Sequence, residues 1–185
     1  MPGGRYTGVA VALHWLMALI IIGNLIGGLT LDLFIDNADP DMKALGGTII
    51  GLHKALGISV IALTVVRIGW RLANPPPPLP AHMTALERGL ARATHLGFYA
   101  LMLALPLTGW TLASTGKVAR PVDMFGLFSV PALPLPHALQ GLFGKSHALL
   151  GWVMLATLTL HVLAVVKHKI FDRDNLLARM LPGGR

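Results

Sequence analysis

The hydrophobic positions of this 185-residue chain fall into four long stretches, separated by polar or proline-rich connections. A helix needs about 20 residues to cross about 30 Å of hydrocarbon, and the length of each stretch is close to that value. The stretches run over residues 9–31, 45–70, 90–113 and 146–166. The pattern predicts an all-α membrane protein, in which residues 1–185 form a single domain built as a four-helix transmembrane bundle.

Composition favours a membrane protein over a water-soluble one. Hydrophobic residues make up 54% of the chain and charged residues 12%, whereas a soluble domain carries about 25% charged residues. The chain has no cysteine. Disulfides, iron–sulfur clusters, cysteine zinc sites and covalently attached c-type haem are therefore excluded.

The formal net charge of +7 is unevenly distributed, and this distribution predicts an orientation. The N-terminal segment, the connection between the second and third stretches, and the tail hold ten basic residues, from Arg5 to Arg185, against three acidic ones. The other two connections hold five of each. Because cytoplasmic segments carry the excess of Lys and Arg, both termini of this multi-pass protein are predicted in the cytoplasm. Binding to a nucleic acid is therefore not needed to explain the positive charge.

Five of the eight histidines lie inside the apolar stretches: His14, His53, His95, His147 and His161. An imidazole inside a bilayer is costly and usually faces the interior of the bundle, where it has a partner or a ligand. A single histidine of this kind is explained equally well as a hydrogen-bonded packing residue or as a ligand. Five in four stretches favour ligand binding.

The spacing of these histidines predicts two separate sites. His147 and His161 lie 14 residues apart, which places them on one helix face about 21 Å apart along the axis. One shared ion is excluded by that distance. By depth, His53 is the partner of His147 on the outer side, whereas His14 and His95 both reach the level of His161, so the inner pair stays open.

Imidazole ligands without thiolates suit a bis-histidine b-type haem, copper or zinc. The four stretches contain no acidic residue, which argues against a path for divalent cations. Glycines beside the histidines would leave gaps for a planar macrocycle; they are Gly47, Gly51, Gly57, Gly97 and Gly151. Together these features favour two haem b groups. A histidine-lined metal transporter is the alternative of a different class.

Other polar residues are given provisional roles. Arg67 and Arg71, at the cytoplasmic end of the second stretch, are candidates to pair with haem propionates or simply anchor the helix. His168, seven residues after His161, is a candidate for a quinone head group or a residue that snorkels. Asn24 is interpreted as a helix–helix contact. His82 and His137, in proline-rich connections, are expected to be solvated.

Several short motifs carry a family resemblance over nearly the whole chain. They are Leu13-His14-Trp15-Leu16, Gly51-Leu52-His53, Val65-Val66-Arg67, Ala104-Leu105-Pro106, Lys145-Ser146-His147, Leu160-His161 and Asp174-Asn175-Leu176-Leu177. With these motifs the chain resembles the bacterial cytochrome b561 family, short four-helix cytochromes of the inner membrane with two haems. The proline-rich connection and the connection between the third and fourth stretches depart most from the family.

The resemblance implies a ligand set and an activity. It implies that His14 and His161 bind the inner haem iron and that His53 and His147 bind the outer one, with His95 beside these ligands or on the quinone side. It also implies a superoxide:ubiquinone oxidoreductase, in which superoxide gives electrons at the periplasmic face and ubiquinone accepts them.

A second function stays open at this point. Larger membrane-anchor cytochromes are similar in the same positions, so the chain is alternatively an electron-transfer subunit for a partner dehydrogenase or reductase. The long connection over residues 114–145 would then be the docking surface.

Overall fold

The computed structural model describes residues 4–174 and 176–181. Asn175 and Arg185, which entered the sequence analysis, lie outside the described residues. The elements are helices α1 (Gly8–Thr30), α2 (Asp32–Ile35), α3 (Pro40–Ala73), α4 (Ala85–Ser114) and α5 (Gln140–Ile170), strands β1 (Val122–Met124) and β2 (Phe128–Val130), and two 3₁₀ turns, His137–Leu139 and Leu177–Met180.

Four helices in this part of the chain are long and apolar enough to cross a membrane, which confirms the four predicted spans. All four begin before the corresponding apolar stretch, α1 by one residue and α3, α4 and α5 by five or six. Polar side chains cap two of these earlier starts: Asp39 caps α3, and Thr84 and Glu87 form a capping box on α4. Hydropathy marks only the part of a helix that suits the membrane, whereas the caps decide where its hydrogen bonding begins.

The long helices pack in the order α1–α3–α4–α5 along the contacts that join them. The interior is a cluster of apolar side chains: Met17, Val60, Leu101, Met102 and Met154. Many large apolar side chains point outward instead, and Leu19, Leu96 and Leu160 are 70%, 72% and 66% exposed. Such an apolar exterior suits lipid and would be costly in water.

The two ends of the bundle differ in structure. At one end the first and last described segments meet, where Arg5 donates to the carbonyl of Leu181 at 3.0 Å and Trp15 donates to that of Met180. We call this the terminal end. At the other, β1 and β2 form an antiparallel hairpin between α4 and α5, whose turn places Phe125 and Gly126 at positive φ. We call this the hairpin end. Strand β1 packs against Ala55 of α3.

Candidate functional site

His53 of α3 and His147 of α5 face each other near the hairpin end, and we call them the hairpin-side pair. Their ring centres lie 6.0 Å apart, with the rings at 85° to each other. Because an imidazole nitrogen binds a metal at about 2 Å and the ring centre lies about 1 Å behind it, two rings on opposite sides of one ion have centres about 6 Å apart. The separation therefore fits two imidazoles that share one metal.

Backbone carbonyls of the neighbouring helices hold both rings of this pair. Nδ1 of His53 donates to the carbonyl of Asn24 at 3.1 Å, and Nδ1 of His147 donates to that of Leu105 at 3.1 Å. Since a carbonyl only accepts, the hydrogen of each neutral ring sits on Nδ1. The lone pair of each Nε2 is left for a metal, as is usual for histidine ligands.

Two glycines on neighbouring helices make room for these rings. A Cβ at Gly28 of α1 would lie 3.0 Å from Cε1 of His53, and one at Gly109 of α4 would lie 2.8 Å from Cε1 of His147. The sequence analysis did not identify either residue. Of the glycines that it named, Gly47, Gly51, Gly97 and Gly151 would each place a Cβ with no atom within 4 Å. The glycines that contact the histidines come from other helices.

Asn24 ties α1 to the hairpin-side pair in both directions. Its backbone carbonyl accepts from the His53 ring, while its side-chain Nδ2 donates to the backbone carbonyl of His53 at 3.1 Å. The expected helix–helix contact is present, and it falls on a candidate ligand. In the sequence, the only sign of this contact is that Asn24 is a polar residue well inside an apolar stretch.

Three histidines meet towards the terminal end, and we call His14, His95 and His161 the terminal-side cluster. The ring centre of His161 lies 6.4 Å from that of His14 and 6.1 Å from that of His95. Phe98 packs edge-on against the same ring at 5.4 Å. The distances suit either partner equally, so this geometry does not choose between the two that depth left open.

Arg67 lies against His14. Its Nη2 donates to Nδ1 of His14 at 3.2 Å, and because guanidinium has no acceptor, Nδ1 must supply the lone pair. Neutral His14 then carries its hydrogen on Nε2, the opposite arrangement to the hairpin-side pair. For Nε2 of His14 to bind a metal, this hydrogen bond would have to break. Arg67 and Arg71 also line a small surface cavity, together with Tyr6, Trp70 and Tyr99.

His168 stands apart from the terminal-side cluster. It is buried at the end of α5, where its Nδ1 lies 2.7 Å from a carboxylate oxygen of Asp172 and 2.9 Å from one of Asp174. Of the two histidines expected to be solvated, His82 is half exposed and meets Asp174 at 3.2 Å, and His137 donates to the carbonyl of Thr115. Neither loop histidine is without a protein partner.

The donor set fits a b-type haem. Each candidate site offers imidazoles from different helices, and the chain has no cysteine that would direct it towards a thiolate-bound metal. Axial imidazole pairs in an apolar setting are ligands of haem iron. The preset Nε2 lone pairs of His53 and His147 are the strongest part of that fit.

Comparisons with known proteins agree with this chemistry. A family model described as prokaryotic cytochrome b561 matches residues 5–183. The chain is 33% identical to cytochrome b561 homolog 2 of Escherichia coli K12, over 96% of this chain and 91% of that protein. It is 30% identical to a probable superoxide oxidase, CybB, of Yersinia pestis, over 98% of both chains. It is also 30% identical to cytochrome b562 of Cereibacter sphaeroides, over 77% of this chain and 87% of that protein.

The family model covers almost the whole chain, and two of these relatives align over more than nine-tenths of it. Four apolar helices and the paired histidines agree with the match. The chain belongs to the prokaryotic cytochrome b561 family, and is a multi-pass inner-membrane protein that binds haem b and transfers electrons.

Proposed function

We propose that this cytochrome is a superoxide:ubiquinone oxidoreductase and that residues 1–185 act as one domain. Two superoxide anions each lose one electron and leave as dioxygen, while one ubiquinone takes up those two electrons and two protons to become ubiquinol. The observation that carries the proposal is the 30% identity, over 98% of both chains, to a protein named a probable superoxide oxidase. The two levels of histidines supply the electron path that such a reaction needs.

We assign one haem b to each level. His53 and His147 would hold the first, supported by their separation and by their free Nε2 lone pairs. His14 and His161 would hold the second, with His95 beside them. Bound haem b supplies reversible one-electron chemistry at its iron, and the protein's part is to fix the ligands and exclude competing reactions.

Arg67 and Arg71 are assigned to the propionates of the haem at the terminal end. Their position beside the terminal-side cluster supports this role, because a guanidinium pairs well with a carboxylate. The assignment also explains how His14 is freed. When Arg67 turns from Nδ1 of His14 to a carboxylate, the His14 ring can carry its hydrogen on Nδ1 and offer Nε2 to iron.

The hairpin end is assigned to the periplasm and the terminal end to the cytoplasm, following the excess of basic residues. Five cations lie towards the hairpin end: Lys43, Lys54, Lys117, Arg120 and Lys145. Lys54 directly follows His53, and Lys145 precedes His147 by two residues. In the described ranges none of the five forms an ion pair, as the ion pairs found there all involve Lys167, His82 or His168.

This local positive charge would attract superoxide, since a cationic surface speeds the capture of an anion. Four aspartates between Asp32 and Asp41 oppose it, so the attraction is confined to the side nearest Lys54 and Lys145. Ubiquinone is assigned to the terminal end, where His95 and His168 are the candidate residues on its side. The carboxylates of Asp172 and Asp174 lie at Nδ1 of His168 and hold its ring in place.

Stopped-flow spectroscopy tests the function directly. Purified protein mixed with potassium superoxide and a short-chain ubiquinone should reduce the haem within the mixing experiment and then form ubiquinol. Excess superoxide dismutase should abolish both signals, and His53→Leu should abolish ubiquinol formation. Ubiquinol formation no faster than in protein-free solution would refute the proposal.

One observation favours the second candidate, an electron-transfer subunit for a partner enzyme. The tip of the hairpin is apolar and exposed, with Phe125, Leu127 and Phe128 at 50%, 82% and 61% exposure. Such a tip suits contact with another protein or with the membrane surface. Purification in mild detergent distinguishes the two functions: a redox subunit that copurifies, and without which superoxide activity is absent, would favour the partner-dependent role.

A further inference from the structure

Three segments of the chain bring metal-binding atoms together at the terminal end. His82 lies in the connection between α3 and α4, His168 lies at the end of α5, and Asp174 follows it in the tail. Nitrogen or oxygen atoms from the three side chains all lie within 4.8 Å of one another. Oδ2 of Asp174 lies 3.2 Å from Nε2 of His82 and 2.9 Å from Nδ1 of His168.

This cluster is built into the fold. The side chains of His168 and Asp174 are 10% and 9% exposed, while that of His82 is 55% exposed and leaves the cluster open to solvent. Arg173 takes a left-handed conformation, with φ at 53°, and its neighbours Asp172 and Asp174 both reach His168. A non-glycine residue in that conformation is uncommon, and such residues concentrate at functional sites.

Carboxylates outnumber lysines among the side chains that contact one another around this cluster. Lys167 is shared between Glu87 and Asp172, at 2.6 and 2.7 Å, and one lysine cannot neutralise both. Asp174 adds a third carboxylate, whose partners among the described residues are the two imidazoles and the backbone N–H of Leu176. The side chains in direct contact here therefore include three carboxylates and one lysine, while basic residues predominate at this end of the chain as a whole.

We propose that His82, His168 and Asp174 bind a divalent transition-metal ion of the zinc class, with Asp172 or a water as the fourth ligand. Two imidazoles and a carboxylate are typical zinc ligands, and magnesium or calcium would prefer oxygen alone. The ligand atoms of a tetrahedral site at metal distances of about 2 Å lie about 3.3 Å apart. The present distances from Asp174, 2.9 and 3.2 Å, are close to that value, and the third pair, His82 and His168, lies within 4.8 Å.

The bound ion would join the proline-rich connection to the end of α5 and the tail that follows it, which lie far from that connection in sequence. It lies outside both histidine levels assigned to haem, and a metal on Nδ1 of His168 leaves Nε2 of that ring free. The proposal does not rest on superoxide chemistry. A failed superoxide assay would leave it intact, because its readout is the metal itself.

Equilibrium dialysis against zinc chloride tests the proposal on haem-loaded protein purified without a polyhistidine tag. We expect about one saturable zinc per chain, and at least tenfold weaker binding in His82→Ala and in Asp174→Asn. Zinc should also raise the unfolding temperature of the parent protein and leave that of His82→Ala unchanged. Magnesium chloride should produce neither effect.

His137→Ala is the matched control, because it removes a loop histidine from the opposite end of the bundle and should leave zinc binding unchanged. The haem absorption spectrum verifies that each variant is folded. Since His82 is half exposed in a connection, its variant decides the result if Asp174→Asn does not fold. No saturable zinc binding, or equal affinity in His82→Ala, would show that the cluster is only a hydrogen-bonded network.

Discussion

The hairpin-side pair and the terminal-side cluster use the same side chain in different ways. At the hairpin side, two histidines are held by carbonyls of α1 and α4, with Gly28 and Gly109 against the rings. At the terminal side, three histidines lie close together, and the guanidinium of Arg67 is hydrogen-bonded to one of them, His14. One site is shaped by the backbone and the other by side chains that can move.

The two sites differ in how far each imidazole ring is prepared for a metal. A carbonyl cannot donate, so it fixes the tautomer of the ring that it faces. An arginine fixes the opposite tautomer and has to leave first. We therefore expect the hairpin side to bind haem without rearrangement and the terminal side to bind it with rearrangement of Arg67.

The largest effect is expected when a hairpin-side ligand is removed. We expect His147→Leu to lower the haem content from about two per chain to about one, because a lone imidazole in an apolar site holds b-type haem poorly. A pyridine haemochrome assay measures this change. Thr157→Val, which removes a hydroxyl bonded only within α5, is the control and should keep both haems. Full haem content in His147→Leu would contradict the assignment.

Substituting each of the three histidines of the terminal-side cluster in turn tests which two of them bind haem. We expect His161→Leu and His14→Leu each to lose about one haem, and His95→Leu to keep both, since we place His95 beside the ligands. The same haemochrome assay, with redox titration of the remaining haem, measures the outcome. Loss of haem in His95→Leu with retention in His14→Leu would reverse the assignment.

The fixed shape of the hairpin side predicts a smaller effect on stability. In Gly109→Ala the new Cβ would meet Cε1 of His147 at 2.8 Å, so we expect a loss of about 1–3 kcal/mol from overpacking. Gly97→Ala, on the same helix but with no atom within 4 Å of the new Cβ, should be neutral or stabilising. Unfolding in detergent, followed by the haem absorption, compares the two. Equal stability would show that the His147 ring adjusts freely.

The smallest effect is expected at Asn24. Asn24→Leu removes the donor to the backbone of His53 but keeps the carbonyl that orients its ring. Such interhelical hydrogen bonds are worth about 0.6 kcal/mol on average, so stability should fall slightly. The redox potential of the hairpin-side haem should shift while that of the other haem stays constant. A shift in both potentials would mean that Asn24 acts on the whole bundle.

Features that repeat along one helix could be predicted from the sequence. The four spans follow from apolar length, and the two levels follow from the 14-residue spacing of His147 and His161. The pairing of His53 with His147 also followed, since no other histidine lies at that depth. The choice between His14 and His95 stayed open, because depth alone cannot rank two helices that both face His161.

Contacts between helices could not be predicted in the same way. Gly28 and Gly109 lie far in sequence from the histidines that they contact, so no local motif marks them. The contact of Arg67 with His14 and the approach of His82 to His168 and Asp174 depend on how whole helices and connections are arranged. A single sequence contains the residues for these contacts but no distances between them.

The vertical separation of the two histidine levels has an electrical consequence. A distance of about 21 Å along α5 is about two-thirds of the hydrocarbon thickness. An electron that moves between the levels therefore crosses about two-thirds of the membrane voltage, which amounts to about 1.5 kcal/mol for each 100 mV. Met17 and Met154, 2% and 1% exposed, fill part of the space between the levels with apolar atoms. In a respiring cell, with its interior negative, inward electron transfer would work against this field and would speed up when the voltage collapses.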